Sequence, residues 1–158
     1  MKIEIERKFL VAGDGWRAGA TGILYRQGYL CTDPGRTVRV RLGGDTAILA
    51  IKGGGNGIAR PEFEYPIPVD EATTLLDHHC LQPLVEKYRY LVSYAGLTWE
   101  IDEFFGTNAG LLMAEVELER VDQPVPLPPW VGREVSGDPR YFNAYLARHP
   151  FSSWTTER

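Results

Sequence analysis

Residues 2–11, KIEIERKFLV, read beside residues 36–42, RTVRVRL, decide the fold. In the first stretch Ile3, Ile5 and Phe9 share one parity, and Glu4, Glu6 and Lys8 the other. In the second, Val38, Val40 and Leu42 oppose Arg39 and Arg41. Period-two alternation of this kind marks β-strands with one apolar and one polar face. Residues 23–31, 46–52, 60–67, 84–94, 97–104 and 112–121 read as further strands, separated by turn signals such as Asp33-Pro34-Gly35, Gly43-Gly44-Asp45 and Gly96. Residues 12–22, with four glycines and Trp16, read as irregular. A helix is expected from Asp70 as N-cap, with Ala72, Leu75, Leu76 and His79 on one face. Pro124, Pro126, Pro128 and Pro129 predict an extended connector. A second helix is expected to begin at Asp138-Pro139, with Phe142, Tyr145 and Leu146 as its stripe. About eight strands and two helices in one domain spanning 1–158 predict an all-β-dominated α+β fold. Its form would be an eight-stranded antiparallel β-barrel with a few flanking helices and a tail frayed over 150–158.

Composition narrows the function. The length of 158 residues suits one domain, and 44% hydrophobic with 24% charged residues is globular composition. No run of ~20 apolar residues exists, so no membrane helix is expected. The chain is charged from Lys2 onward, so no export signal is expected and a cytoplasmic location fits. A net charge of −4 argues against nucleic-acid polymers and anionic membranes as partners. Cys31 and Cys80 form no CxxC, and His78, His79 and His149 no HExxH, which disfavours a disulfide framework and a zinc site. The run Gly53-Gly54-Gly55-Asn56-Gly57 joins two strands and precedes no helix, so it reads as a hairpin or flap rather than a phosphate loop.

The chemistry lies in which charges share a face. Glu4/Glu6, Arg39/Arg41, Glu62/Glu64, Lys87/Arg89, Glu100/Asp102 and Glu115/Glu117 are like-charge doublets at i, i+2. Each sets two same-sign groups about 7 Å apart on one side of a strand. A solvated outer face explains any single doublet. It explains the set less well, because exposed faces mix signs. If all these faces turn inward, the barrel has a charged lumen, which needs a ligand, since buried unpaired charge is costly. A polyanion with divalent cations satisfies it: carboxylates suit Mg²⁺ or Mn²⁺, and Lys and Arg suit phosphate. The apolar side chains of Ile3, Ile5, Val38, Val40, Phe63, Tyr65, Tyr88 and Trp99 would then face outward. Either a second copy, giving a homodimer, or the irregular segments 12–22 and 122–137 would cover them.

At Glu4, Glu6 and Lys8 the sequence resembles the CYTH superfamily, the triphosphate tunnel metalloenzymes, whose signature is an N-terminal E-x-E-x-K strand. The resemblance continues through RQGYL (26–30), RVR (39–41), IKG (51–53), EFE (62–64), KYR (87–89), EIDEF (100–104), AEVELE (114–119) and GREVSGDPRY (132–141). It implies a tunnel that binds a triphosphate unit. By motif position Lys8, Arg39, Arg41, Lys52, Lys87 and Arg89 would contact phosphates, with Lys8 and Lys87 close to the chemistry. Glu4, Glu6, Glu62, Glu64, Glu115 and Glu117 would hold Mg²⁺ or Mn²⁺, with Asp102 helping. Lys8 has a structural ion pair as its alternative role. Tyr29 aligns with a tyrosine suggested as a proton acceptor, and a purely structural role stands equally open for it. Gln27 stands where some relatives carry a lysine. Arg60 and Arg140 read as surface or capping residues. The implied activity is metal-dependent hydrolysis of triphosphates, with inorganic tripolyphosphate favoured. The alternatives are an adenylate cyclase, a thiamine or nucleoside triphosphatase, or a non-catalytic polyphosphate binder.

Overall fold

The computed structural model describes residues 2–55 and 58–154. Nine strands form one sheet: β1 (Lys2–Val11), β2 (Gly22–Cys31), β3 (Arg36–Gly43), β4 (Thr46–Gly53), β5 (Ala59–Pro66), β6 (Val85–Tyr94), β7 (Leu97–Phe105), β8 (Leu112–Glu117) and β9 (Val131–Glu134). Two helices accompany them, α1 (Val69–His78) and α2 (Asn143–Arg148). The strand order is β5-β4-β3-β2-β6-β7-β8-β1-β9, and a β5–β1 pairing closes the first eight into the expected antiparallel barrel. Tight turns hold the hairpins. Gly44 supplies φ 60 between β3 and β4, and Ala95 and Gly96 turn β6 into β7 at φ 51 and 82, the left-handed pair that a two-residue hairpin requires.

β1 is the closing strand. Along one edge Glu6–Leu10 pairs with Met113–Glu117 of β8. Along the other, Lys2–Ile5 pairs with Ala59–Glu62 of β5, and Phe9 and Val11 then pair with β9. The ninth strand was not anticipated. It lies within the segment read as an irregular cover, and four residues are too few to show alternation. β8 ends at Glu117 rather than 121. The α1 N-cap is Pro68, with Asp70 inside the first turn; Ala72 and Leu76 are buried and His79 is exposed. The expected second helix divides into a 3-10 turn, Pro139–Tyr141, capped by Asp138, and the short α2.

The apolar residues form three clusters, two of them outside the barrel. On the outer face of β1, β7 and β8, Phe9, Trp99, Ile101 and Val116 are sealed by Trp16 from the first irregular segment and by Trp130 from the proline-rich connector. Trp99 and Trp130 meet edge to face at 5.7 Å. Over β3 and β4, Val40 and Ala47 pack under Ala72 and Leu76 of α1. The third cluster floors the barrel: Val85, Phe104 and Met113, inward by alternation, meet Tyr141 and Leu146 from the C-terminal segment. Residues 150–154 are packed rather than loose, since Trp154 stacks on Tyr141 at 5.3 Å and the Phe151 N–H donates to Asn108 Oδ1 at 2.8 Å. Of the glycine-rich run 53–57, Asn56 and Gly57 lie outside the described residues, as do residues 155–158 of the tail.

Candidate functional site

Alternation aims the charged parity of the barrel strands other than β2 into a cavity of about 600 Å³. Lys8, Tyr29, Arg39, Arg41, Lys52, Lys87, Arg89, Glu4, Glu6, Glu62, Glu64, Glu115 and Glu117 all line it. Strand order sorts them by sign. A basic arc runs through β4, β3 and β6, with Lys52, Arg39, Arg41, Lys87 and Arg89, and β2 between β3 and β6 contributes Tyr29. An acidic arc runs through β7, β8, β1 and β5, with Glu100, Glu115, Glu117, Glu4, Glu6, Glu62 and Glu64.

Where the arcs meet, the charges neutralise one another. At the β4–β5 seam Lys52 Nζ lies 2.7 Å from Glu4 and 3.7 Å from Glu62. At the β6–β7 seam the Arg89 guanidinium grips Asp102 through Nε and Nη2, at 2.8 and 2.9 Å, and reaches Glu100 at 2.7 Å. Asp102 also holds Lys87 Nζ at 2.8 Å. Asp102 is fully buried and does not line the cavity; it is committed to Lys87 and Arg89. Lys8 contacts Glu115 at 3.6 Å and donates to the Tyr141 carbonyl at 3.4 Å, so its ion pair and its cavity position coexist.

Away from the seams the charges lack such partners. Among the described residues no carboxylate lies within 4 Å of Arg39 or Arg41, and the buried Nε of Arg39 has no hydrogen-bond acceptor. Burial, then repulsion by Arg39 and Arg89, pulls the Arg41 pKa down. On the opposite arc burial, then repulsion from Glu115, raises the Glu6 carboxyl to about 8 against the pull of Lys8. Burial also acts on Glu115, but Lys8, Arg89 and Lys87 overcome it and hold its pKa well below the carboxylate range. Burial outweighs the attraction of Asp102 at Lys87 and brings it down to about 8. One pole of the lumen thus has surplus positive charge and the other crowded carboxyls.

The crowded pole fits a hard dication by chemistry, because burial and the neighbouring Glu115 raise the Glu6 carboxyl and a bound cation would offset both. Among the described residues no three His, Cys, Asp or Glu side chains gather tightly enough to cage a metal ion alone. The arrangement therefore suits an ion held by one or two carboxylates and completed by water and substrate oxygens, the habit of Mg²⁺.

Of the lesser candidates only Arg60 enters the site, and Asn143, not anticipated, joins it. Arg60 lines the cavity, its guanidinium 5.2 Å from the Phe142 ring. Arg140 pairs with Asp138, the cap of its own turn, at 2.7 Å and does not line the cavity. Gln27 is fully buried and donates to Asn143 Oδ1 at 2.8 Å, so it supplies no phosphate contact. Asn143 carried no signal in sequence, since a lone neutral residue near a helix start belongs to no charge pattern.

Comparison with known proteins agrees with this geometry. Residues 2–142 match the CYTH domain family. An inorganic triphosphatase of Acetivibrio thermocellus is 48% identical over 151 residues, covering 96% of this chain and 97% of that protein. One of Nitrosomonas europaea is 37% identical, covering 91% and 96%. A solved inorganic triphosphatase structure superposes with a TM-score of 0.65 at 36% identity, over 93% of this chain and 95% of the other. A candidate adenylate cyclase from Bacillus halodurans shares the fold alone, with a TM-score of 0.62 at 16% identity over 77% and 84%. A barrel lined by sign-sorted charges, matched by this family over nearly its whole length, places the chain in the CYTH domain family.

Proposed function

We propose that this protein hydrolyses inorganic tripolyphosphate to pyrophosphate and orthophosphate. The observation that carries the reading is the pair Arg39 and Arg41, half-buried guanidiniums facing the cavity without a carboxylate partner among the described residues, opposite a carboxyl pole. Such a lumen wants a compact polyanion on one side and a dication on the other. The relatives' activity and this charge layout agree.

Arg39 and Arg41 bind phosphate oxygens bidentately, while Lys52, Lys8, Lys87 and Arg89 add charge around the chain of phosphates. Glu6 and Glu115, helped by Glu4, Glu62, Glu64 and Glu117, would hold Mg²⁺ or Mn²⁺. That ion supplies neutralisation of phosphate charge and a water of lowered pKa. A water oxygen forms the new bond to the terminal phosphorus, the bridging P–O bond breaks, and pyrophosphate leaves. Lys87 carries a proton at neutral pH that it can release near pH 8, which suits it to the leaving oxygen. Tyr29 is buried in the cavity wall on the strand next to Arg39, where it serves as proton acceptor or as a structural neighbour of that guanidinium. Most of the rate enhancement then comes from positioning and fixed charge.

Nucleoside triphosphates are the second reading, favoured by cavity volume in excess of a triphosphate and by Phe142, Tyr145 and His149 in its wall. The test is phosphate release from tripolyphosphate with and without Mg²⁺ or Mn²⁺, beside ATP and thiamine triphosphate. Metal-dependent turnover of tripolyphosphate well above the others supports the first reading. Cyclic AMP from ATP would move the assignment to a cyclase, and binding without turnover of any substrate to a binding module. No helix among the described residues is long and apolar enough to cross a membrane. The trio Ile3, Phe63 and Tyr65, each between 37% and 52% exposed on the outer face of β1 and β5, leaves an uncovered apolar strip, which we assign to contact with a second copy. A monomer by sedimentation at micromolar concentration would remove that dimer.

A further inference from the structure

The geometry points to Asn143 as a positioning residue that acts on substrate through Lys87. Asn143 is the first residue of α2, on the C-terminal segment that closes the floor of the barrel, and it is 8% exposed. Its Oδ1 accepts from Lys87 Nζ at 3.1 Å and from Gln27 Nε2 at 2.8 Å. An ammonium only donates, so the amide oxygen must face Lys87, and the Gln27 donor fixes that orientation from the other side.

The consequence concerns the three N–H bonds of Lys87. One is directed to Asp102 Oδ2 on β7 at 2.8 Å and a second to Asn143 on α2. Phe104 lies behind the nitrogen at 5.3 Å. Lys87 is 1% exposed yet lines the cavity. A tetrahedral ammonium with two donors fixed on two walls has its third aimed in one direction, and the remaining opening is the lumen. Asp102 alone leaves the nitrogen free to rotate about a single contact, whereas Asn143 turns a tether into an aim. This also explains the neutral pair Gln27–Asn143 at the edge of a charged lumen: a charged residue there would add to the cavity's field, while the amides only orient.

The inference rests on the triphosphatase reading for its rate readout, and its binding readout is independent of it. Tripolyphosphate hydrolysis with Mg²⁺, and tripolyphosphate binding by calorimetry without metal, are measured for wild type, Asn143→Leu, Lys87→Ala and the double variant. Asn143→Leu keeps the volume and removes the acceptor; kcat/KM is expected to fall about tenfold to a hundredfold, the scale of a hydrogen bond to a charged group. In the Lys87→Ala background the same change is expected to cost less than about twofold, because its route to substrate is gone. The metal-free Kd should show the same non-additivity. Gln27→Met, which removes only the orienting donor, is expected to cost about threefold to tenfold and to lose its effect likewise; it decides the matter if Asn143→Leu does not fold. Equal losses in both backgrounds, or wild-type behaviour of Asn143→Leu, overturn the assignment. Wild-type binding without turnover would sink the triphosphatase reading and leave the coupling to be read in Kd.

Discussion

The two arcs of the barrel wall, five bases on one and seven acids on the other, handle their unpaired charge differently. On the basic arc the side chains farthest from the seams, Arg39 and Arg41, keep their charge and lack carboxylate partners. On the acidic arc the crowding is relieved by a proton, with Glu6 raised to about 8 by burial and by Glu115. The difference is chemical. A guanidinium cannot shed its charge at any ordinary pH, so it waits for an anion; a carboxyl can, so it waits neutral for a cation. The seams pair their charges, and the remainder, two guanidiniums facing a crowded carboxyl pole, suits a polyanion together with a dication.

The largest effect should come from fixing the acidic pole in its neutral form. Glu6→Gln is expected to reduce kcat by more than about a thousandfold, the scale of losing a metal site or a key electrostatic group, and Glu4→Gln to act in the same direction. Glu6→Gln should also raise the Tm of the metal-free protein. A carboxyl raised from its ordinary value near 4.5 to about 8 loses stability as pH climbs through that window. The gain in Tm should therefore be larger at pH 8 than at pH 5. Unchanged turnover in both variants would remove the metal assignment.

Next in size, Arg39→Ala should weaken tripolyphosphate binding and lower kcat/KM about a hundredfold, as for loss of one preorganised donor. Unaltered KM and kcat would take Arg39 out of the cradle. Smaller again is the proton account: metal binding below pH 8 must displace the Glu6 proton, so affinity should fall up to about tenfold per pH unit below that value. Calorimetry in buffers of different ionisation enthalpy reads this directly, and zero proton release at pH 7 would contradict a neutral Glu6. The least effect belongs to Lys2, half exposed over Glu62, Glu64 and Glu117 at 3.2 to 3.9 Å. Lys2→Ala should change activity less than about threefold, as exposed ion pairs contribute little; a tenfold loss would move Lys2 into the substrate cradle.

Charge and alternation made the wall legible in advance. Every expected cavity residue lines the lumen except Asp102, whose parity was right and whose partners, Lys87 and Arg89, lie on the neighbouring strand where periodicity cannot see them. The residues that sequence did not offer are neutral or local. Gln27 was visible only as a missing lysine, and Asn143 is tied to Lys87 by contact across 56 residues. β9 pairs with β1 at only two positions, too few for a pattern. The cover over Trp99 came from segments that looked featureless except for Trp16 and Trp130, because loops packed on a sheet carry no period.

The strand that closes the barrel comes first among the nine, and its partners lie far along the chain. β1 finds β5 after about sixty residues of synthesis, β8 only past Glu117 and β9 only past Glu134. Until then its edges stand unpaired in water, and long-range pairing of this kind is slow. Its Glu4, Glu6, Arg7 and Lys8 serve in that interval as gatekeepers, since charges on an open strand edge discourage joining to a neighbouring chain. Three of these four charges, Glu4, Glu6 and Lys8, line the cavity once the barrel has closed.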